Sequence, residues 1–351
     1  MPSPARPQPA AARAKAERRK RGEEEKRRRT AATKAARAAA REKTGRLAKE
    51  ARAAQRLQTG RLRDLVLKPY TVRVYKAAVA EFFRWCRRMG HRTPSSVMSF
   101  DVLLGEWAEA LWEDGDMKCI LNRGLCGLAH LVPALRGRLP GAWRLYNAWS
   151  RREHRTQAPP IELLLAQALA AFFLEEGYPG AALCILVAHE CILRNAEFFE
   201  LRKEDLVSTP KGILLSLRKT KMGQRLGVTQ QVLCSSPWLA ARLRHRAGGL
   251  RPGETLLDCT PVRFRQLWSG ARRRLKLPGK YTVFGLRRGG ATGFFRRTGS
   301  FDRVCDRGRW GSVVACRIYV TTALQDASMQ EFAVHNPLWE RWAAKLWQLP
   351  A

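Results

Sequence analysis

The stretch YTVFGLRRGGATGFFRRTGSFDRVCDRGRWGSVVACRIY, residues 281–319, decides how this chain is read. It holds a paired arginine (Arg287, Arg288), two adjacent glycines (Gly289, Gly290), the tripeptide Gly308-Arg-Trp310, and a tyrosine, Tyr319, nine residues after the tryptophan. Its periodicity predicts helices over 284–297, 301–307 and 313–324. Adjacent glycines let a helix pack very close to another backbone or to a ligand. Guanidinium forks match the oxygens of a phosphate, and a tyrosine hydroxyl beside them is a candidate nucleophile.

Working outward, Arg194 follows a nearly all-apolar stretch, 181–193, which predicts a helix buried on every side. Glu197, three residues on, is placed to hold the Arg194 guanidinium. Two short β runs, 212–217 and 225–232, predict a β-hairpin with Lys219 and Lys221 near its tip. Each of these has an ordinary reading when taken alone: a helix-end ion pair, soluble turn lysines, a core Trp and Tyr.

Composition narrows the partner. The 351 residues are 45% hydrophobic and carry a formal charge of +35, from 65 Lys and Arg against 30 Asp and Glu. Such an excess predicts a polyanionic partner. No apolar run approaches a membrane span and the start of the chain lacks the apolar core of a secretory signal, so nucleic acid is favoured over a membrane. The nine cysteines stand singly, without a C-x-x-C pair. That argues against a disulfide framework or a zinc site and for buried free thiols.

The charge is spread unevenly. The first 60 residues hold 19 Lys and Arg against 6 Glu and almost no large apolar residue, so 1–60 is expected to be a basic arm, disordered or partly helical. Its Ala-rich part, 31–54, has strong helix propensity. Its clusters Arg18-Arg19-Lys20-Arg21 and Lys26-Arg27-Arg28-Arg29 suit a nuclear-import signal or a DNA-gripping arm. The remainder still carries 46 Lys and Arg against 24 Asp and Glu. From Leu67 the pattern turns helical: Val72, Tyr75, Val79, Phe82 and Phe83 share a face with Trp85 and Cys86, leaving Lys76, Arg84, Arg87, Arg88 and Arg92 off the stripe. Helical patterns at 100–112, 118–135 and 141–150 complete a four-helix module over 61–155. A basic, proline-stopped linker at 151–160 leads to a second domain, 156–335, and a final segment, 336–351. In that last segment Leu338, Trp339, Trp342, Leu346 and Trp347 share a face suited either to a neighbouring subunit or to their own domain.

Taken in order, Arg194-Asn-Ala-Glu197, Lys221 (with Lys219 as second choice) on a β-hairpin, Phe284-Gly-Leu-Arg287-Arg288, Gly308-Arg-Trp310 and Arg317-Ile-Tyr319 resemble the boxes of the tyrosine recombinase (phage-integrase-like) family. The helix with Thr71, Tyr75, Phe82 and Trp85 resembles that family's core-binding domain. The form Arg287-Arg-Gly-Gly-Ala-Thr292 is similar to recombinases of eukaryotic mobile elements. The resemblance spans about residues 67–325. It implies a mainly α fold: a four-helix (SAM-like) core-binding domain followed by a mostly helical catalytic domain with a small β-hairpin or sheet.

The implied activity is cleavage and rejoining of double-stranded DNA through a covalent 3′-phosphotyrosine, as in site-specific recombination or integration. In it Tyr319 is the nucleophile, Arg194 and Arg287 bind the phosphate, Lys221 is the general acid and Trp310 lines the pocket. Glu197, Arg288 and Lys219 support them. No metal, cofactor, small-molecule substrate or membrane is implied, and the assembly is a homotetramer on two DNA sites. The compartment implied is intracellular: the nucleus in a eukaryotic cell, the cytoplasm and nucleoid otherwise. Phe284 departs from the pattern, which has a histidine there, and none of the six histidines (91, 130, 154, 189, 245, 335) falls within 281–319. The alternative is a catalytically inactive DNA-binding protein that retains the fold. A topoisomerase-type monomer with the same chemistry fits less well, because of the N-terminal helical module.

Overall fold

Among the described residues, proline opens five of the ten helices of twelve residues or more, and glycine ends several of them. The computed structural model describes residues 10–153, 157–218, 220, 223 and 228–350. The chain divides into two compact units, Met1–His154 and Arg155–Ala351.

In the first unit, helix α1 (Ala10–Thr59) is continuous over 50 residues, and every described side chain along it is exposed. The arm, expected to be disordered or partly helical, is helical over residues 10–59. Alanine and long straight side chains have high intrinsic helix propensity, and the Arg28–Glu24 (2.9 Å), Arg29–Glu25 (2.7 Å) and Arg46–Glu50 (3.7 Å) pairs sit at i,i+4 spacing. Such pairs add a few tenths of a kcal/mol each.

A four-helix module follows: α2 (Pro69–Arg88), α3 (Val97–Glu113), α4 (Cys119–Leu131) and α5 (Pro140–Arg152). Proline at the first turn suits α2 and α5, where its missing N–H is no loss. Ser96 caps α3, accepting from the Ser99 amide at 3.1 Å while Ser99 Oγ accepts from the Ser96 amide at 2.9 Å. Phe82, Leu104, Trp107, Leu121, Leu125 and Trp149 form its core, with the Phe82 and Trp107 rings 5.4 Å apart. Asp101 on α3 reaches across to accept from the Gly141 and Ala142 amides, both at 2.9 Å, and so caps α5 from another helix. Lys76, Arg84, Arg87, Arg88 and Arg92 are exposed, as their places off the stripe predict.

The second unit is built on α6 (Leu163–Glu175) and α7 (Pro179–Glu190). All residues of α7 from Gly180 to His189 are buried, which accounts for its nearly unbroken apolar sequence. Asp258 accepts from the Gly180 and Ala181 amides at 2.6 and 2.9 Å, satisfying donors at the buried start of α7. A short helix α8 (Asn195–Phe199) leads into a three-stranded antiparallel sheet. Its strands are β1 (Leu206–Thr209), β2 (Gly212–Leu217) and β3 (Gln230–Cys234), with Leu206 opposite Leu215 and Leu215 opposite Val232.

The predicted hairpin is therefore the β2–β3 half of a sheet that has an additional edge strand, β1. Four residues, Leu206–Thr209, with one partly buried apolar position give too little alternation to announce a strand. The second run begins at Gln230 among the described residues; 225–227 lie outside them, as do Lys219 and Lys221.

Helices α9 (Pro237–Gly248), α10 (Pro261–Arg274), α11 (Phe284–Thr298) and α12 (Phe301–Gly308) follow. The single helix expected over 313–324 is two: α13 (Val313–Arg317) and α14 (Thr322–Glu331). The β-branched residues Ile318, Val320 and Thr321 disfavour helix, and Tyr319 lies in the break. The last helix, α15 (Asn336–Ala344), packs on α6 of its own unit, and this C-terminal segment buries Trp339, Trp342, Leu346 and Leu349. Trp342 meets Phe172 with ring centroids 5.7 Å apart, and Trp339 Nε1 donates to Leu275 O at 3.2 Å. The segment thus packs on its own domain, and each fully buried aromatic contributes roughly 1.5–3 kcal/mol. Trp347 stays 73% exposed.

All nine cysteines are free thiols, six of them buried. Among the described residues no helix is long and apolar enough to cross a membrane.

Candidate active site

Helix α11 carries the site's central arginines and is held deep in its unit by its small residues. A Cβ at Gly289 would lie 1.6 Å from Ile161 O, and one at Gly290 would lie 2.0 Å from His189 O. Only glycine permits this approach, and it buries Arg287 and Arg288 to 1% and 2% exposure.

The Arg287 guanidinium donates through Nη1 to Ile192 O and through Nη2 to Gly308 O, both close contacts. It lies 4.2 Å from the Trp310 ring centroid and 5.4 Å from that of Tyr319. Burial, then repulsion from Arg194 and Arg309, lowers its pKa to about 9, with Glu197 and Tyr319 acting the other way. It is still a cation at neutral pH. Arg288 donates to Gln157 Oε1 and to Thr321 Oγ1 (3.4 Å), two residues beyond Tyr319. Burial lowers it as well, and negative charge at Tyr319 favours its cation.

Arg194 stands at the N-cap of α8 and is part-exposed; its Nη1 donates to Glu197 Oε1 at 2.6 Å, as the spacing predicts. The buried Glu197 carboxylate also accepts from the Arg194 amide at 2.8 Å. Burial pushes the Glu197 carboxyl up, but Arg309, the Arg194 amide and the Arg194 guanidinium overcome that and hold it below the usual carboxylate range.

Trp310 and Tyr319 converge, with ring centroids 4.8 Å apart and an interplanar angle of 49°. Gly308 makes this possible, because a Cβ there would lie 1.8 Å from the Trp310 ring. Phe284 flanks Tyr319 on another side at 5.7 Å and is 40% exposed. The turn bearing Tyr319 is clipped to α11 by the fully buried Thr292: its Oγ1 lies 3.3 Å from Tyr319 O and accepts from the Thr321 amide at 3.3 Å.

The fold thus brings together Arg194, Glu197, Arg287, Arg288, Trp310 and Tyr319. Two further members, Arg309 and Thr292, are not singled out by the sequence. Arg309 donates from Nη2 to Glu197 Oε2 at 2.7 Å and is buried; its neighbour Trp310 carries the motif, and one arginine among many cations gives no signal of burial. Thr292 is legible only as part of the 287–292 string. His189 is buried with Nε2 3.1 Å from Ile161 O, and burial lowers its pKa to about 4.

The guanidiniums of Arg194, Arg287 and Arg309 therefore share the field of a single buried carboxylate, with Arg288 beside Tyr319. Among the described residues, the Nε atoms of Arg287, Arg288 and Arg309 are buried without a hydrogen-bond partner. Clustered guanidiniums with a phenol beside them could receive an oxyanion.

No protein-family model matches the sequence, and no curated protein does. Solved structures do resemble it. The integrase of transposon Tn1549, in complex with transposon right end DNA, superposes with a TM-score of 0.52 at 15% identity, over 80% of this chain and 98% of that one. The XerH site-specific recombinase bound to its difH substrate gives 0.47 at 15% identity, covering 74% and 79%. XerA recombinase gives 0.36 at 14%, covering 76% and 92%. The first of these superpositions, over a mostly helical chain with one small antiparallel sheet, establishes that this chain has the tyrosine recombinase fold.

Proposed function

We propose that this protein cleaves and rejoins double-stranded DNA through a covalent tyrosyl–phosphate link, with Tyr319 as nucleophile. The observation that carries this is the excess of guanidinium charge beside the Tyr319 ring: Arg194, Arg287 and Arg309 around Glu197, and Arg288 in addition. Arginine forks at that place would bind the non-bridging oxygens of a phosphodiester and stabilise the charge added in the transition state.

Attack at phosphorus forms the tyrosyl ester and releases a 5′-hydroxyl. Lys221, outside the described residues, is the proposed donor of the proton to that oxygen. The phosphoester energy is kept in the link, so a second 5′-hydroxyl can displace the tyrosine and rejoin the strand. Double-stranded DNA is the proposed partner, with a homotetramer spanning two sites. The Tn1549 integrase structure contains DNA, which supports the same partner for this chain.

Phe284 favours a second reading, a DNA-binding protein without turnover, because a phenyl ring at the rim of the site neither donates nor accepts a proton. The test is a nicked duplex, chosen from sequences the protein selects out of random DNA, followed by denaturing electrophoresis. A DNA-linked protein band that Tyr319→Phe abolishes is the expected result. Tight binding with no band on any selected sequence would establish the second reading instead.

A further inference from the structure

Arg309 has a position that its sequence neighbours do not explain. Among the described residues, the residues other than glycine with positive φ are Ile192 (51°), Lys276 (58°) and Arg309 (57°). For a β-branched residue this is a genuine outlier, and each such residue costs roughly 1–3 kcal/mol. Two of the three face each other in the site. Arg309 Nη2 donates to Ile192 O at 3.2 Å, and the same carbonyl accepts from Arg287 Nη1. Arg309 Nη1 donates to Arg307 O (2.9 Å) and Cys191 O (3.3 Å), and its side chain is 4% exposed. It lies too deep to touch DNA.

We infer that Arg309 is a positioning residue: it takes one oxygen of Glu197 and the carbonyl of Ile192, and so sets how Arg194 and Arg287 face a phosphate. The inference rests on the proposed cleavage reaction.

The Glu197 carboxylate is divided, Oε1 to the Arg194 guanidinium and Oε2 to Arg309 and the Arg194 amide. A bidentate pair is the preferred geometry of an arginine with a carboxylate. Without Arg309, Oε2 would be open to a second guanidinium hydrogen, and Arg194 would fold onto Glu197. Sharing prevents this and leaves Arg194 anchored at one point, with its other N–H groups directed to a ligand. The left-handed backbone at residue 309 serves the same end, since it turns the chain between Gly308, whose carbonyl holds Arg287, and Trp310, whose ring stacks on Arg287.

Glycine adopts this backbone without strain, so Arg309→Gly removes the guanidinium and relieves the turn together. The expected result is a folded variant whose melting temperature falls no further than that of Glu197→Gln, unchanged affinity for the selected nicked duplex, and covalent-link formation slower by about 100-fold, the scale of a misplaced reacting group. A structural role would lower the melting temperature further and leave the bound rate alone. On a Glu197→Gln background, Arg309→Gly should slow the reaction little further, because the carboxylate it divides is gone. If the glycine variant melts early, Arg309→Asn, which also tolerates the left-handed region, is measured in its place. Wild-type protein that binds but forms no link overturns the reaction, and the inference with it. Wild-type protein that reacts, beside an Arg309→Gly variant that reacts equally fast or an undiminished effect on the Glu197→Gln background, overturns the inference alone.

Discussion

Helix α1 and the Tyr319 site are both crowded with arginine, and they differ in what surrounds the charge. Along α1 the described guanidiniums are in water and pair loosely with glutamates one turn away, as in Arg28–Glu24 and Arg29–Glu25, with arginine side chains 80% and 81% exposed. Around Tyr319, Arg287 and Arg309 are buried, compete for backbone carbonyls, and lie in the field of one carboxylate. Charge in water is screened within about 10 Å at 0.1 M salt, so α1 offers attraction without geometry. Buried charge is neither screened nor free to move, and it can discriminate one oxygen position from another.

The sharpest way to break this contrast is Arg287→Lys. It keeps the charge and removes the fork that joins Ile192 O, Gly308 O and the Trp310 face. Covalent-link formation on the nicked duplex is expected to fall by about 10²–10³-fold, the cost of removing a transition-state donor. An equal rate would mean that charge alone suffices and that the site works as α1 does.

The next effect is on stability. His189 is held neutral by burial, with a folded pKa of about 4 against 6.5 for the free group. Between those values the unfolded chain binds the proton and the folded chain does not, so stability falls as pH is lowered through this window and is unaffected above it. Urea unfolding at pH 7 and pH 5 should differ by about 2 kcal/mol from this group. His189→Gln should remove that part of the difference.

Deleting residues 1–60 should leave the melting temperature of the remainder nearly unchanged, since no described α1 side chain is buried. DNA affinity should fall and its salt dependence flatten, by about 0.9 in the log–log slope for each phosphate that the arm neutralises. An unchanged slope would remove α1 from the DNA-binding surface. The smallest effect belongs to Arg28→Ala, which should change helix stability by no more than about 0.5 kcal/mol, read by circular dichroism of an α1 peptide.

Much of the fold and site is legible because its signals are local. Arg194 and Glu197 are three residues apart, Trp310 and Tyr319 nine, and α2 and α7 announce themselves by their apolar pattern. Strand β1 is hidden because four residues hold almost no periodicity. The extent of helix in the arm is ambiguous because low hydrophobicity and alanine's helix propensity point opposite ways. The break at Tyr319 is hidden because a short β-branched run also fits a continuing helix.

The order of the chemical groups, the helical character of both units and the basic charge that calls for a polyanion can all be read along the chain. These depend on side-chain type and short spacing, which a linear string records. Folding alone brings Arg309 to Glu197, 112 positions away along the chain, gives Ile192 two arginine donors in a strained backbone, and packs α15 on its own unit. Backbone carbonyls are the same at every residue, and burial is a property of neighbours brought together by the fold. That is why those contacts leave no mark in the sequence.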